Sequence, residues 1–360
     1  MSGPTRDREE WLAKRGGSAS LLRPLEALYR CVSGARAVLY DRGWLPVERL
    51  DTPVVCIGNL TVGGTGKTPM VAWVCRWFLE RGRRPGLLSR GYGARGDVND
   101  EALLLERLLP GVPHVQNPDR AAGGRELEGS GVDVIVMDDG FQHRRLFRDL
   151  DCVLVDATRP WGLPSLDDED LGLRALLPRG FLREAPEALG RAHAVVLTRT
   201  DQVAPERVER IEDELLRLAP GTAVVHARHG IRCLTRDDGV QESPDALAGR
   251  PVVLCSGIGN PSAFEATVRG LGAEVLEHRR FADHHPYTPE DLSGLAGEGR
   301  ILLTTAKDAV KLEPLGIRPW VLEVEMAFER GEAVLQALLE ALPVGREERM
   351  RHSFHEGLHG

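Results

Sequence analysis

Residues 58–69, Gly58-Asn59-Leu60-Thr61-Val62-Gly63-Gly64-Thr65-Gly66-Lys67-Thr68-Pro69, set closely spaced glycines before a Lys-Thr pair. That combination suits one chemistry above others, the gripping of a di- or triphosphate. Glycines let the main chain wrap the anion, successive N–H groups point inward, and a following helix adds the positive potential of its N-terminus. Thr61, Gly63, Gly64, Thr65 and Gly66 would line such a loop. Lys67 would reach the β- and γ-phosphates, and the Thr68 hydroxyl would ligate Mg²⁺. The usual spacing G-x-x-x-x-G-K-[ST] places Gly where this chain has Thr61.

A second acidic signal lies in VDVIVMDDG, where an apolar run ends in Asp138 and Asp139. Neighbouring side chains on a strand point to opposite faces, so the two carboxylates do different jobs: one in the Mg²⁺ shell, the other orienting a neighbour. Nucleotide and Mg²⁺ together imply phosphoryl transfer or nucleotide hydrolysis. Val62, where partitioning ATPases usually carry Lys, argues against that class. Thr198-Arg199-Thr200-Asp201 approaches the guanine-reading pattern [NT]-K-x-D, so a regulatory or chaperone-type GTPase remains an alternative.

These groups need elements to hold them. VVCIG (54–58) reads as the strand before the loop and about 68–81 as the helix after it, with further short strands GLLS (86–89), VDVIVMD (132–138), CVLVD (152–156) and AVVLT (194–198). Short apolar strands separated by crossovers imply an α/β fold, a P-loop NTPase-like doubly wound and mostly parallel sheet. A β linker over 221–250 leads to a second, smaller α/β lobe over 251–345, with strands PVVLCSG (251–257), AEVLEH (273–278), ILLTT (301–305) and WVLEV (320–324); 46–220 forms the kinase-like domain and 346–360 a tail. Ahead of both, within 1–45, Leu21, Leu25, Leu28, Val32, Ala35 and Leu39 recur at helical spacing, widened by Leu22, Tyr29 and Val38 and flanked by Arg23, Arg30, Arg36 and Arg42. An amphipathic helix of that kind fits either a membrane interface or a neighbouring domain.

Composition narrows the classes. Forty-six basic against 54 acidic residues give a net charge of -8, which argues against a nucleic-acid partner. The cysteines at 31, 56, 75, 152, 233 and 255 form no CxxC pair and no zinc spacing, as expected of buried thiols in a reducing compartment. No apolar run reaches about 18 residues and the start is too charged for a secretory signal, so a chain that stays in the cytoplasm without spanning the membrane is expected.

Taken in order, GNLTVGGTGKTP, SRGYG (89–93), DDGFQHRR (138–145), LLPRGFLRE (176–184), LTRTD, FADHH (281–285) and TTAKDAVKL (304–312) resemble the tetraacyldisaccharide 4′-kinase family. Thr61 and the TRTD element are what that family looks like. The resemblance implies ATP-dependent phosphorylation of the 4′-hydroxyl of an acylated glucosamine disaccharide 1-phosphate, giving lipid IVA. It also implies a peripheral position on the cytoplasmic face of the inner membrane of a Gram-negative bacterium, with the N-terminal helix at the lipid surface and no protein partner evident. By the same resemblance Asp100 is the catalytic base and His284, from the second lobe, its partner. Arg90, Gln142, Arg144 and Lys307, with Asp308 beside it, are candidates for substrate or ATP contacts.

Overall fold

A computed structural model describes residues 11–13, 18–91, 100–165, 170–259, 261–282, 285–295 and 299–343, with only the backbone at Asp100. Strands form where apolar and β-branched residues run together: β1 (Val54–Asn59), β2 (Pro85–Ser89), β3 (His114–Gln116), β4 (Val134–Asp138), β5 (Leu150–Asp156), β6 (Ala194–Thr198) and β7 (Ala223–Thr235). Every residue of β1, β2, β4, β5 and β6 is buried, as in a parallel sheet covered on both faces. Their order is β7-β6-β5-β1-β4-β2-β3, and each pairing is parallel. β1 thus lies between β5 and β4, with Ile57 opposite Asp138 and Asn59 opposite Leu154. The loop leaving β1 and the acid pair leaving β4 therefore emerge side by side at one sheet edge. β3, only three residues long, escapes any periodicity argument.

The helices are α1 (Arg23–Asp41), α2 (Lys67–Glu80), α3 (Asp100–Leu108), α4 (Arg120–Gly129), α5 (Pro205–Leu218), α6 (Pro261–Gly270), α7 (Ala306–Leu312) and α8 (Glu332–Glu340). α2 buries Met70, Val71, Val74, Cys75, Trp77 and Phe78 and lies against β1, β2 and β4. Its burial holds Lys67, at its first turn, directly above the loop. α4 is capped by the Asp119 carboxylate, which accepts from the Ala121 and Ala122 N–H groups.

The chain forms two compact units. One contains the described residues up to Gly91, Leu109–Arg228 and those from Met326 on; the other contains α3 and the described part of His229–Glu325. The second unit has parallel strands β9 (Pro251–Ser256), β10 (Glu274–Arg280), β11 (Ile301–Thr305) and, as far as Glu325, β12 (Trp320–Arg330), in the order β10-β9-β11-β12. Its core includes Leu234, Leu247, Val252, Leu254, Phe264, Val268 and Leu303. Within the expected linker, β7 runs on to Thr235 and turns back as β8 (Gln241–Glu242), antiparallel to it.

These units divide the chain differently from the sequence at α3, which lies inside 46–220 yet groups with the second unit. The cause is packing. Ala102, Leu104 and Leu105 are buried, α3 lies on α7, and Arg107 pairs with Glu313. The expectation that Asp100 and His284 come from different lobes changes accordingly, since the backbone of Asp100 opens a helix of the second unit.

Gly58, the penultimate residue of β1, tolerates no side chain. A Cβ there would stand 2.6 Å from Phe141 Cβ and 3.0 Å from its backbone nitrogen. Gly58→Ala is expected to cost about 1–3 kcal/mol through overpacking and to lower the thermal unfolding midpoint by several degrees. An unchanged midpoint in a thermal melt would show that β1 and the Phe141 turn can move apart freely.

Candidate active site

The loop after β1 is held from several sides. Thr61 forms an antiparallel bridge with Leu182; the Val62 N–H donates to the Phe181 carbonyl at 2.8 Å and the Arg183 N–H to the Leu60 carbonyl at 2.8 Å. Position 61 is therefore extended and buried, not a left-handed turn, which explains why Thr serves where Gly is usual. The positive φ values fall at Gly63 (125°) and Gly66 (93°), where glycine relieves the strain. Among the described residues, no N–H of Gly63, Gly64, Thr65 or Gly66 donates to a backbone carbonyl. The Asn59 amide donates to Thr65 Oγ1 at 3.0 Å, so the Thr65 hydroxyl proton is directed elsewhere.

At the first turn of α2, Lys67 Nζ lies 3.5 Å from Asp139 Oδ1. Arg183 Nη1 donates to both oxygens of the same carboxylate, at 2.9 and 2.8 Å. Two cations thus face one anion, and the surplus charge favours an incoming polyphosphate. Asp139 adopts a left-handed backbone, φ 51°, immediately past β4. Asp138 closes the strand, buried, its carbonyl accepting from the Arg120 guanidinium at 3.1 Å. Gln142 joins the cluster: its amide donates to the Asn59 carbonyl at 2.9 Å, and its Oε1 lies 3.5 Å from Arg183 Nη1. His143 beside it stays neutral, since burial and the charges of Arg120, Arg148 and Arg36 push its pKa down to about 4.

Lys67, Thr65, Asp139 and Gln142 are thus brought together, with Thr68 at the same helix start and Asp138 one residue from Asp139. Arg144 points elsewhere, donating to the Ala37 carbonyl at 3.1 Å and to Asp41 at 2.7 Å, where it caps the end of α1. Arg90 is exposed just past β2, and Lys307 is half-buried in α7 of the second unit. Next to it Asp308 is fully buried and accepts from the Gly257 N–H, the Tyr287 hydroxyl and the Thr305 hydroxyl, a brace for its own unit. His284 and the side chain of Asp100 lie outside the described residues.

Arg183 escaped selection from sequence. It sits in the quoted LLPRGFLRE segment, but no spacing rule links it to Asp139, 44 residues away. Arg199 proves different from the guanine-reading element considered above. It is buried, pairs with Asp156, and donates to the Gly64 carbonyl at 3.0 Å, so its stem is turned to the loop rather than offered to a base. Among the described residues no group of three or more His, Cys, Asp or Glu side chains is arranged to hold a metal.

A family profile described as tetraacyldisaccharide-1-P 4′-kinase matches residues 18–343. A protein named tetraacyldisaccharide 4′-kinase from Anaeromyxobacter dehalogenans (strain 2CP-C) is 41% identical over 364 residues, covering 93% of each chain. Another of that name, from Syntrophus aciditrophicus (strain SB), is 36% identical and covers 95% of this chain and 96% of its own. The crystal structure of LpxK from Aquifex aeolicus in complex with ATP is similar with a TM-score of 0.70 at 32% identity, covering 89% of this chain and 98% of that one.

Burial by itself would raise the Asp139 carboxyl, but Lys67 and Arg183 outweigh it and hold the group below the usual carboxylate range. A depressed folded pKa stabilises the fold above the unfolded value of roughly 4, and that contribution is lost as pH falls through the folded value. Asp139→Asn is expected to reduce stability by about 1–3 kcal/mol at pH 7, with the deficit shrinking as both proteins are acidified below pH ~4. Urea unfolding across pH tests this; a deficit independent of pH would assign the effect to packing.

Proposed function

As a member of the tetraacyldisaccharide 4′-kinase family, the chain is an ATP-dependent phosphotransferase acting on a hydroxyl group, and we propose that it phosphorylates the 4′-hydroxyl of an acylated glucosamine disaccharide 1-phosphate to give lipid IVA. The observation that carries this proposal is the Gly-rich loop, whose Gly63, Gly64, Thr65 and Gly66 N–H groups donate to no backbone carbonyl among the described residues, set beside Lys67, Asp138 and Asp139. Thr61, Gly63, Gly64, Thr65 and Gly66 form the cradle. Lys67, released in part from Asp139, follows the charge that develops on the transferred phosphoryl group. Since Asp139 is engaged by Lys67 and Arg183, the metal side falls to Asp138 with Thr68. A Mg²⁺ ion held by Asp138 and Thr68 would supply positive charge to the nucleotide phosphates. Asp100 takes the proton of the acceptor hydroxyl and His284 supports it. Arg90 remains a proposed phosphate contact and Lys307 a proposed site residue. A GTPase reading loses its support once Arg199 is turned to the loop.

The N-terminal helix favours the lipid surface. Leu21, Leu25, Leu28 and Val32 are 80, 53, 62 and 62% exposed. α1 is anchored to the protein by polar contacts beside the Tyr29 ring, which packs on the core: the Glu26 carboxylate accepts the Leu176 N–H at 3.0 Å and the Tyr29 hydroxyl donates to the Arg183 carbonyl at 2.8 Å. A helix that turns its apolar stripe outward on a folded body buries that stripe in the acyl boundary of a membrane, with arginines near anionic headgroups. No described helix is long and apolar enough to cross a membrane, in keeping with a peripheral position, which we place on the cytoplasmic face of the inner membrane where an acylated acceptor resides.

Purified protein, radiolabelled ATP and a monophosphorylated lipid A precursor provide the test, with the product's phosphate position determined. Label at the 4′ position, with ATP preferred over GTP, is expected; absence of transfer under saturating MgATP overturns the proposal. Lys67→Ala and Asp100→Ala should each lower kcat by about a hundredfold or more, with the thermal midpoint unchanged in Asp100→Ala and lowered by a few degrees in Lys67→Ala, which loses the contact with Asp139. Near-normal turnover in Asp100→Ala would remove it from the base role. Leu25→Glu with Leu28→Glu should weaken flotation with anionic vesicles severalfold, whereas wild-type partitioning would mean that the stripe serves something other than lipid.

A further inference from the structure

In a trans peptide unit the carbonyl and the N–H point in opposite directions, so whatever holds one aims the other. Two consecutive carbonyls of the phosphate loop are held from behind. Arg199 Nη2 donates to the Gly64 carbonyl at 3.0 Å. The Thr198 hydroxyl lies 3.0 Å from the Thr65 carbonyl, with the Val155 carbonyl a longer alternative at 3.3 Å. Those two units carry the N–H groups of Thr65 and Gly66, neither of which donates to a backbone carbonyl among the described residues.

The holders are themselves fixed. Arg199 is buried, takes a left-handed backbone with φ 57° at the end of β6, and pairs with Asp156 at the end of β5. Asp156 Oδ1 accepts from the N–H and hydroxyl of Thr158, at 2.9 and 2.7 Å, which leaves Oδ2 for the guanidinium. Thr198 has no exposed surface. A planar guanidinium can serve a carboxylate and a carbonyl at once from separate nitrogens, whereas an ammonium offers a single centre. The desolvation cost of burying such a pair is offset only where further hydrogen bonds satisfy its remaining groups, as Thr158 does for Asp156 and the Gly64 carbonyl does for Arg199.

We propose that Thr198, Arg199 and Asp156 are positioning residues that preset the nucleotide loop, aiming the Thr65 and Gly66 N–H groups at the phosphates before ATP arrives. The inference rests on the ATP-binding reading of that loop and assigns these residues no contact with the nucleotide. Their effect is preorganisation: without them the two peptide planes are free to rotate, and binding must order them.

Calorimetric titration of the full-length protein with MgATP, alongside steady-state kinetics, tests it in Thr198→Val, Arg199→Lys, Arg199→Ala and Lys67→Ala. Arg199→Ala should raise the Kd and KM for ATP about tenfold, Thr198→Val severalfold, and Arg199→Lys to a value between wild type and Arg199→Ala. KM for the lipid acceptor should stay at its wild-type value in all three. A merely structural role would lower the thermal midpoint and leave KM for ATP in place. Should Arg199→Ala fail to fold, Thr198→Val and Arg199→Lys decide the matter. Wild-type Kd for MgATP in both of those, with Lys67→Ala still weakened, overturns the inference while sparing the ATP site; a wild-type protein that binds no MgATP removes the site itself and the inference with it.

Discussion

Main-chain N–H groups can grip a polyphosphate only if the protein leaves them without acceptors of its own, and a folded chain tolerates such groups only where the surrounding backbone is rigid. Much of the first unit is arranged around that constraint. Gly58 presses on Phe141, Thr61 is paired with Leu182, and α2 is buried along most of its length. Because β1 lies between β5 and β4, the loop is bordered by the ends of both strands, which supply Asp156 on one side and Asp138 with Asp139 on the other. Rigidity and charge thus come from the same strand order.

The electrostatics follow from placing two cations against one carboxylate. Asp139 keeps Lys67 and Arg183 together in the absence of phosphate, which would otherwise leave two positive charges in mutual repulsion. On the proposed reading, the surplus charge lets phosphate meet attraction without the cluster first having to dissociate. Gln142, bound to the Asn59 carbonyl, ties this cluster to the end of β1.

The N-terminal helix shows the ordinary logic of amphipathic packing inverted. A helix on a globular body usually hides its apolar stripe and wets its polar face. α1 does the reverse, docking through Glu26 and Tyr29 and leaving Leu21, Leu25, Leu28 and Val32 outside. Tyr29 meets the carbonyl of Arg183, the residue that also clamps Asp139, so the docked face of the helix and the ionic cluster share one residue.

Elements with strong local signals were legible in the sequence. The apolar runs that became β1, β4, β5 and β6, the helix after the loop, and the Gly-rich turn with Lys67 and Thr68 all follow from composition and periodicity, because a parallel strand buried on both faces and a phosphate loop each demand particular residue types at short range. The motif order added the family and its chemistry. What the linear pattern could not contain was everything set by distant partners. Arg183 reaches Asp139 across 44 positions, and Arg199 reaches Asp156 across 43. α3 was free to join either core until it packed on α7, with Leu104 and Leu105 buried. Periodicity showed that α1 has an apolar face, while only its polar anchors decided that this face turns outward. Local propensity acts over a few residues, whereas a guanidinium's partner or a helix's packing surface is chosen by which strands the fold brings together.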